Sequence, residues 1–420
     1  MFESLTDNKI FKFKNNPSQK ILLTLLILFL FRFGNTIPLG GIDQEALKRS
    51  FLQLENRNAI MQIINMYSGG GGKTILSPFS LGIIPFINAS ILIDLLTAII
   101  PFLEKLQSEE GEVGRRKLTF YKKGLTLVFS IVQSIFLIFY LKPYFYDTSI
   151  FNFVTIVTQL VSGALIIVWL SNVIDNKGIG NGTSLIIFTN IVVTLIGRNF
   201  FDAPIDNLFF IQIGFLLFLM ILICISQTAR INIDVVSARQ LAYLENMEND
   251  EIVNEKFKSK LSVKDNGLSV KLNQAGIFPI IIASNIFPFL TYLTKNLNLP
   301  YLNNIIYYLL IISFNYFYTI VFWDPEKISE QLRKASVSLV NITPGKETVS
   351  YLENVVRSTS LIGGIFLCFI LLLYESIKQL INGPLLNQIN ISSLIILVGV
   401  AYEIQRTIRS LYKNILDTSI

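Results

Sequence analysis

Residues 75–100 read Ile-Leu-Ser-Pro-Phe-Ser-Leu-Gly-Ile-Ile-Pro-Phe-Ile-Asn-Ala-Ser-Ile-Leu-Ile-Asp-Leu-Leu-Thr-Ala-Ile-Ile. A helix needs roughly 20 apolar residues to span the hydrocarbon core of a bilayer, so this stretch is long enough to cross a membrane. Pro85 interrupts it, Pro101 follows it, and Asn88 and Asp94 lie inside it. Broken spanning helices are tolerated where neighbouring helices or a water-filled cavity satisfy the freed backbone groups. The stretch therefore predicts a broken helix inside a membrane-embedded bundle.

The composition of the whole chain also indicates a membrane protein. Of its 420 residues, 52% are hydrophobic and only 15% are charged, whereas soluble proteins have about 25% charged residues. The absence of histidine excludes Ser-His-Asp or Cys-His catalysis and imidazole-bound metals. Cys224 and Cys368 both lie in apolar runs, which is typical of small buried side chains and not of disulfides or thiolate metal sites. We therefore predict an integral membrane protein with no catalytic, cofactor or metal site.

About ten stretches meet or approach the criterion for a spanning helix. The first, fifth and tenth are short, so each needs its flanking residues or a protein neighbour to complete the crossing. The stretches are 21–33, 75–100, 125–141, 153–174, 183–196, 208–225, 275–293, 305–323, 358–374 and 391–402.

The positions of Lys and Arg test this arrangement. With ten crossings both termini lie on one side of the membrane, and most basic residues then fall on that same side. An excess of Lys and Arg marks the cytosolic side or its equivalent. The asymmetry therefore predicts an even number of crossings with both termini inside. The main inside groups are residues 9–20, 105–123, 230–271, 327–346 and 406–413.

A second broken stretch suggests that the chain has two related halves. Residues 275–293 contain Gly276, Pro279, Asn285 and Pro288, so they resemble residues 75–100 in style. Each is the second of five spanning stretches, in residues 1–206 and 207–420. Broken helices in corresponding places of two halves indicate inverted repeats, and five crossings per half would orient the halves in opposite senses.

Two inside loops, 227–271 and 324–354, are too long to be simple connections. In the first, Asn266-Gly267 separates Leu261-Ser-Val-Lys from Leu268-Ser-Val-Lys, a pattern that predicts a β-hairpin. Long ordered loops are often functional. We favour partner docking over a solvated connector as their role.

Asp94 is an ionisable residue within a predicted span, which is a functional hypothesis by default. It lies about two turns from Pro101, so it could equally lie near the interface or form a hydrogen bond within the bundle. Both interpretations stay open from the sequence.

Five motifs resemble those of the SecY family, the central subunit of the Sec protein-conducting channel, in the same order and spacing. The resemblance extends from near the N-terminus to Tyr402. The motifs are Phe79-Ser-Leu-Gly-Ile-Ile-Pro-Phe-Ile-Asn-Ala-Ser90, Glu110-Gly-Glu-Val-Gly-Arg-Arg-Lys117, Gly178-Ile-Gly-Asn-Gly182, Gln274-Ala-Gly-Ile-Phe-Pro279 and Thr343-Pro-Gly-Lys-Glu-Thr348.

The resemblance implies an all-α membrane protein with ten transmembrane helices in two inverted five-helix halves around a central pore. The implied function is a channel that translocates unfolded preproteins across the membrane and releases hydrophobic segments sideways into it, without being an enzyme. A ring of apolar residues would form the constriction, because such a collar binds no ion strongly and dewets when empty. The ring positions implied by the motifs are Ile83, Ile87, Ile187, Ile191, Ile281 and Ile396.

The resemblance also implies a plug and a lateral gate. The plug would lie in residues 49–72, outside the ring. The gate would lie between the second and third helices on one side and the seventh and eighth on the other. Asn88 and Asn285 fall on gate helices, where polar side chains would make the closed seam easier to open.

The two inside loops correspond to those on which the family's motor ATPase and the ribosome dock. Arg230, Arg239 and Lys346 would be docking residues. Bacterial members usually have Arg before the Pro-Gly pair, whereas this chain has Thr343. The implied partners are a SecE-like small subunit, a SecA-type motor ATPase or a ribosome, unfolded preproteins and membrane lipid. No direct recognition of nucleic acid is expected.

Residue usage and Ser237-Ala-Arg-Gln-Leu241, which looks like algal plastid versions, favour a plastid thylakoid membrane with both termini on the stromal side. A bacterial plasma membrane is the alternative. The alternative function is a secondary transporter for a small solute, which would share inverted repeats and broken helices. A transporter should show convergent charged groups at the midplane, and the sequence offers little besides Asp94.

Overall fold

The computed structural model describes residues 17–47, 49, 76–108, 111–197, 207–237, 267–276, 278–283, 286, 300–340, 342–381, 386 and 391–418. Six helices in this part of the chain are long and apolar enough to cross a membrane, and two more are apolar but shorter. The helices are α1 (Pro17–Gly34), α2 (Ile84–Ile99), α3 (Pro101–Ser108), α4 (Gly111–Leu141), α5 (Ile150–Lys177), α6 (Gly182–Gly197), α7 (Asn207–Thr228), α8 (Pro300–Phe322), α9 (Pro325–Lys334), α10 (Lys346–Ile381) and α11 (Ile391–Thr418).

Each predicted spanning stretch except the seventh corresponds to one of α1, α2, α4 to α8, α10 and α11. Of the seventh stretch, residues 278–283 are described as helical. Helices α3 and α9 lie in segments that hydropathy assigned to loops. Of the three stretches predicted to need their flanks, the tenth has the longest extension, because α11 continues to Thr418.

The break in residues 75–100 lies earlier than predicted. Residues 81–83 form a turn in which Gly82 has φ +58°, and α2 begins at Ile84. Pro85 is therefore in the first turn of α2, where its missing N–H group has no helical partner to lose. The prediction that Pro85 breaks the helix is wrong, since the proline lies in the first turn of α2 and the turn that contains Gly82 precedes it.

The chain divides into two compact units, one of residues 1–204 and 396–420, the other of residues 205–395. The first unit contains α1 to α6 and most of α11, and the second contains α7 to α10 with the strands. The inverted relation between residues 1–206 and 207–420 stays a prediction.

Close approach of backbones holds α5 against the turn before α2. A Cβ atom at Gly163 of α5 would overlap the carbonyl oxygen of Pro78. Around this contact Leu81, Leu137 and Leu160 are buried in one apolar cluster. The small residue lets the broken segment lie directly on α5, which positions the start of α2.

In the second unit, α8 packs along α10 around buried polar contacts. The Asn315 side-chain amide of α8 donates to the carbonyl oxygen of Ser360 at 2.6 Å. Near the far ends of the same helices, the Tyr308 hydroxyl donates to Glu375 Oε2 at 2.6 Å. These bonds satisfy polar groups that would be costly to bury without a partner.

The described parts of the two loops predicted to lie inside contain four short strands: β1 (Arg230–Ile233), β2 (Val235–Ser237), β3 (Leu268–Lys271) and β4 (Val337–Leu339). Strand β1 pairs with β3 and β2 pairs with β4, both antiparallel. Strand β3 is the second strand of the predicted hairpin. The first, residues 261–264, lies outside the described residues, and the pairing of β3 with β1 was not predicted.

Candidate functional site

Ile83 and Ile87 lie at the start of α2 and are 3% and 6% exposed. The Ile87 amide donates to the Ile83 carbonyl oxygen at 3.1 Å, so the two residues are one helical turn apart on the same face. The turn at Gly82 and the contact between Gly163 and Pro78 fix where this face begins.

Ile187 and Ile191 lie one turn apart on α6 and are half-buried. The motif before them builds the start of that helix. Asn181 Oδ1 accepts from the amides of Thr183 and Ser184 at 3.0 and 3.3 Å, which caps the first turn. A Cβ at Gly182 would overlap the carbonyl oxygen of Ser171 on α5. The Gly178–Gly182 motif thus sets α6 close against α5.

The last two predicted ring residues are also half-buried. Ile281 lies in the helical residues 278–283, and Ile396 lies in the second turn of α11. Before Ile281 the Asn273 side chain accepts from the Gly276 amide at 3.1 Å and donates to the Gly276 carbonyl at 3.0 Å. The structure pairs Ile83 with Ile87 and Ile187 with Ile191 on single helix faces, while the ring of six stays a prediction.

The predicted gate and plug are only partly described. Asn88 is half-buried on α2 and takes part in an interaction there. Asn285 lies outside the described residues, as does the predicted plug apart from Arg49. Arg49 forms an exposed ion pair with Glu45 at 3.3 Å.

The described parts of the two predicted docking loops share one apolar core. We call the surface that they form around this core the docking face. Ile233, Val270, Leu339 and Leu352 are buried in this core, and Trp323 packs against it. Sequence reasoning treated the loops as separate surfaces, because no local pattern reveals the pairing of β2 with β4.

Of the predicted docking residues, Arg230 on β1 and Lys346 at the start of α10 are exposed on the docking face, while Arg239 lies outside the described residues. The Thr343 hydroxyl donates to Glu347 Oε2 at 2.6 Å. Thr343 is therefore engaged in the first turn of α10.

The structure gives Asp94 a partner that the sequence did not reveal. Lys122 Nζ of α4 lies 2.8 Å from Asp94 Oδ1 of α2. The contact agrees with the interpretation of Asp94 as a polar group bonded within the bundle, and its functional interpretation stays a prediction. The two residues are far apart in sequence, so no short motif could have predicted the pair.

The expectation that both cysteines are buried is half right. Cys368 is buried in α10, and its thiol donates to the Tyr308 carbonyl oxygen at 3.6 Å. Cys224 is exposed on α7, because the apolar exterior of a membrane helix hides its side chains in lipid and not in a core. Across the described residues, no group of three acidic or thiol side chains could hold a metal ion.

A sequence model of the SecY family matches residues 77–405. The protein translocase subunit SecY of Porphyra purpurea is 39% identical over 419 residues, covering 94% of this chain and 96% of that protein. The SecY of Pyropia yezoensis is 37% identical with the same coverage, and that of Synechocystis is 32% identical, covering 93% and 91%.

The chain belongs to the SecY family. Solved structures show that the fold agrees. A structure of a protein-conducting channel has a TM-score of 0.62 at 13% identity and covers 96% of this chain and 95% of that one. Sec61 from the canine ribosome–channel complex has a TM-score of 0.58 at 14% identity, with the same coverage.

Membership of the SecY family confirms the all-α, multi-pass membrane fold and the function of a protein-translocation channel predicted above. The relatives and solved structures give no support to the alternative of a small-solute transporter. Known SecY proteins are channel subunits. This agrees with the motifs of this chain, which shape the backbone and the starts of helices.

Proposed function

We propose that this SecY-family chain forms the pore of a translocase that passes unfolded preproteins across a membrane and releases hydrophobic segments sideways into lipid. The match over 94% of the chain at 37–39% identity is the observation that carries this proposal. The proposal assigns no catalytic step to the chain.

The six isoleucines form the constriction in this proposal. Ile83, the residue before α2, and Ile87 on α2 present paired apolar side chains one turn apart, as do Ile187 and Ile191 on α6. An apolar collar holds ions out by dewetting and has no polar group to retain a passing peptide. A sufficiently apolar segment leaves through the gate beside Asn88 and Asn285, since transfer to lipid is worth about 25 cal/mol per Å² of apolar surface.

Energy for transport comes from a partner on the docking face. Arg230 and Lys346 are exposed there, and the described parts of the two loops share an apolar core. A SecA-type motor ATPase or a ribosome docks on this face, and a SecE-like subunit completes the channel. The similarity to Sec61 in a ribosome–channel complex supports the fold on which such docking depends.

The chain resides in a plastid thylakoid membrane with both termini on the stromal side. The identity of 37–39% to the SecY proteins of Pyropia yezoensis and Porphyra purpurea supports the plastid location. The basic residues on the inside loops support the orientation.

Crosslinking tests the pore assignment. In the assembled translocase, with Cys224 and Cys368 replaced by Ser and Ala, Ile191→Cys should form an adduct with a single-cysteine preprotein stalled in transit. Phe210→Cys on α7, a residue 62% exposed, serves as the lipid-facing control and should give little adduct with a hydrophilic stalled chain. An active complex in which Ile191→Cys gives no more adduct than Phe210→Cys would contradict the proposal.

A further inference from the structure

The ion pair between Asp94 and Lys122 joins two helices, α2 and α4. Lys122 Nζ lies 2.8 Å from Asp94 Oδ1, and the side chains of Asp94 and Lys122 are 28% and 23% exposed. The exposed pair Glu112–Arg116 differs, because it lies within α4 at i,i+4 spacing with side chains 81% and 72% exposed. Exposed pairs of that kind contribute little to stability.

Partial burial makes the Asp94–Lys122 pair costly to break on one side. Removing one partner leaves the other charge in an environment that solvates it poorly. The ion pair therefore stabilises the one relative rotation and axial position of the two helices that keep the carboxylate beside the ammonium group.

Apolar packing surrounds the ion pair. Ile93 of α2, Leu106 of α3 and Leu118 of α4 form a buried cluster, with Leu103 and Leu125 packed against it. Apolar side chains of this size can repack after a small shift of one helix at modest cost. The ion pair adds a directional contact to this packing, a use of buried polar groups that is known from coiled-coil register.

We propose that the Asp94–Lys122 pair locks α2 to α4, so that the two helices move as one wall of the lateral gate. The inference rests on the proposed function, in which the second and third spanning helices form that wall. With the lock intact, opening moves both helices together. Without it, α2 can shift against α4, so the gate opens without moving the whole wall.

Lateral release tests this lock in the complete translocase. Preproteins with a series of segments of rising hydrophobicity give the ratio of lateral release to full translocation. Asp94→Asn should raise this ratio about fivefold for a segment that wild type divides equally, a change of ~1 kcal/mol. The charge exchange Asp94→Lys with Lys122→Asp should return the ratio to within about twofold of wild type, since the pair is restored. Glu112→Gln, which breaks the exposed pair on α4, should leave the ratio unchanged.

A merely structural role would lower the melting temperature of Asp94→Asn without changing the release ratio, and that result would overturn the inference. So would a charge exchange that releases as much as the single variant. A wild-type translocase that releases no segment at any hydrophobicity would instead overturn the proposed gate.

A distance measurement tests the lock without relying on transport. Spin labels at Leu92 of α2 and Val128 of α4, which are 37% and 53% exposed, report the separation of the helices. The distance distribution should be narrow in wild type and in the charge exchange, and broader in Asp94→Asn. Equal widths in all three would overturn the inference.

Discussion

Three glycines decide how closely the backbones of this protein approach one another. A Cβ at Gly163, Gly182 or Gly363 would overlap a backbone carbonyl oxygen, those of Pro78, Ser171 and Leu272 respectively. Backbone atoms cannot move aside as a flexible side chain can. These positions therefore join the broken segment, the start of α6 and the chain after β3 to neighbouring helices.

Gly163→Ala should destabilise the protein by about 1–3 kcal/mol, the usual cost of overpacking. Gly214 on α7 is the matched control, because a Cβ there meets nothing within 4 Å. Gly214→Ala should be neutral or stabilise by up to ~1 kcal/mol, since alanine favours the helix. Thermal unfolding of the purified translocase in detergent measures both, and equal melting temperatures for the two variants would contradict the close approach.

At the scale of elements, hydropathy located the part of each helix that lies in lipid and missed the part in water. The third stretch was predicted to begin at 125, whereas α4 begins at Gly111, because Glu112, Arg115 and Arg116 continue the helix into solvent. Alternation around Asn266-Gly267 predicted strand β3 correctly but not its pairing with β1. Local patterns show what a segment can form, whereas partners such as Lys122 for Asp94 depend on tertiary packing.

The pairing of β2 with β4 can be tested by a disulfide. Val236 and Ser338 are directly opposite in the register, and both are half-buried. In the cysteine-free background, Val236→Cys with Ser338→Cys should form a disulfide on mild oxidation, because opposed strand residues have Cβ atoms about 4.5–5.5 Å apart. Val236→Cys with Thr343→Cys, an exposed residue of the same loop, should crosslink far less. Equal yields would contradict the register.

For the whole molecule, composition and the placement of charged residues predicted the fold class. The predicted site residues came from the motifs instead. Apolar stretches and the distribution of Lys and Arg gave a multi-pass membrane protein, which the family confirms. The six isoleucines have no distinguishing feature as single residues, since isoleucine also faces lipid and packs in cores. Only their place within or soon after a motif selected Ile83 or Ile187 over Ile166, which is 45% exposed on α5.

Labelling from each side of the membrane tests the topology. Glu330 on α9 is exposed and predicted inside, and Tyr146 after α4 is 71% exposed and predicted outside. In oriented vesicles, an impermeant maleimide should reach Glu330→Cys from the side of an N-terminal tag, and Tyr146→Cys only from the opposite side. Labelling of both from one side would contradict the predicted number of crossings between them.

The pairing of β2 with β4 also sets an order of assembly. Ser237 and Val337 are partners across 100 residues of sequence, and α8 lies between them. A chain made from its N-terminus has to complete α8 before β4 exists, and closing so long a loop is slow compared with forming a helix. The surface built by β2 and β4 is thus among the last parts to form, and a half-made chain lacks it.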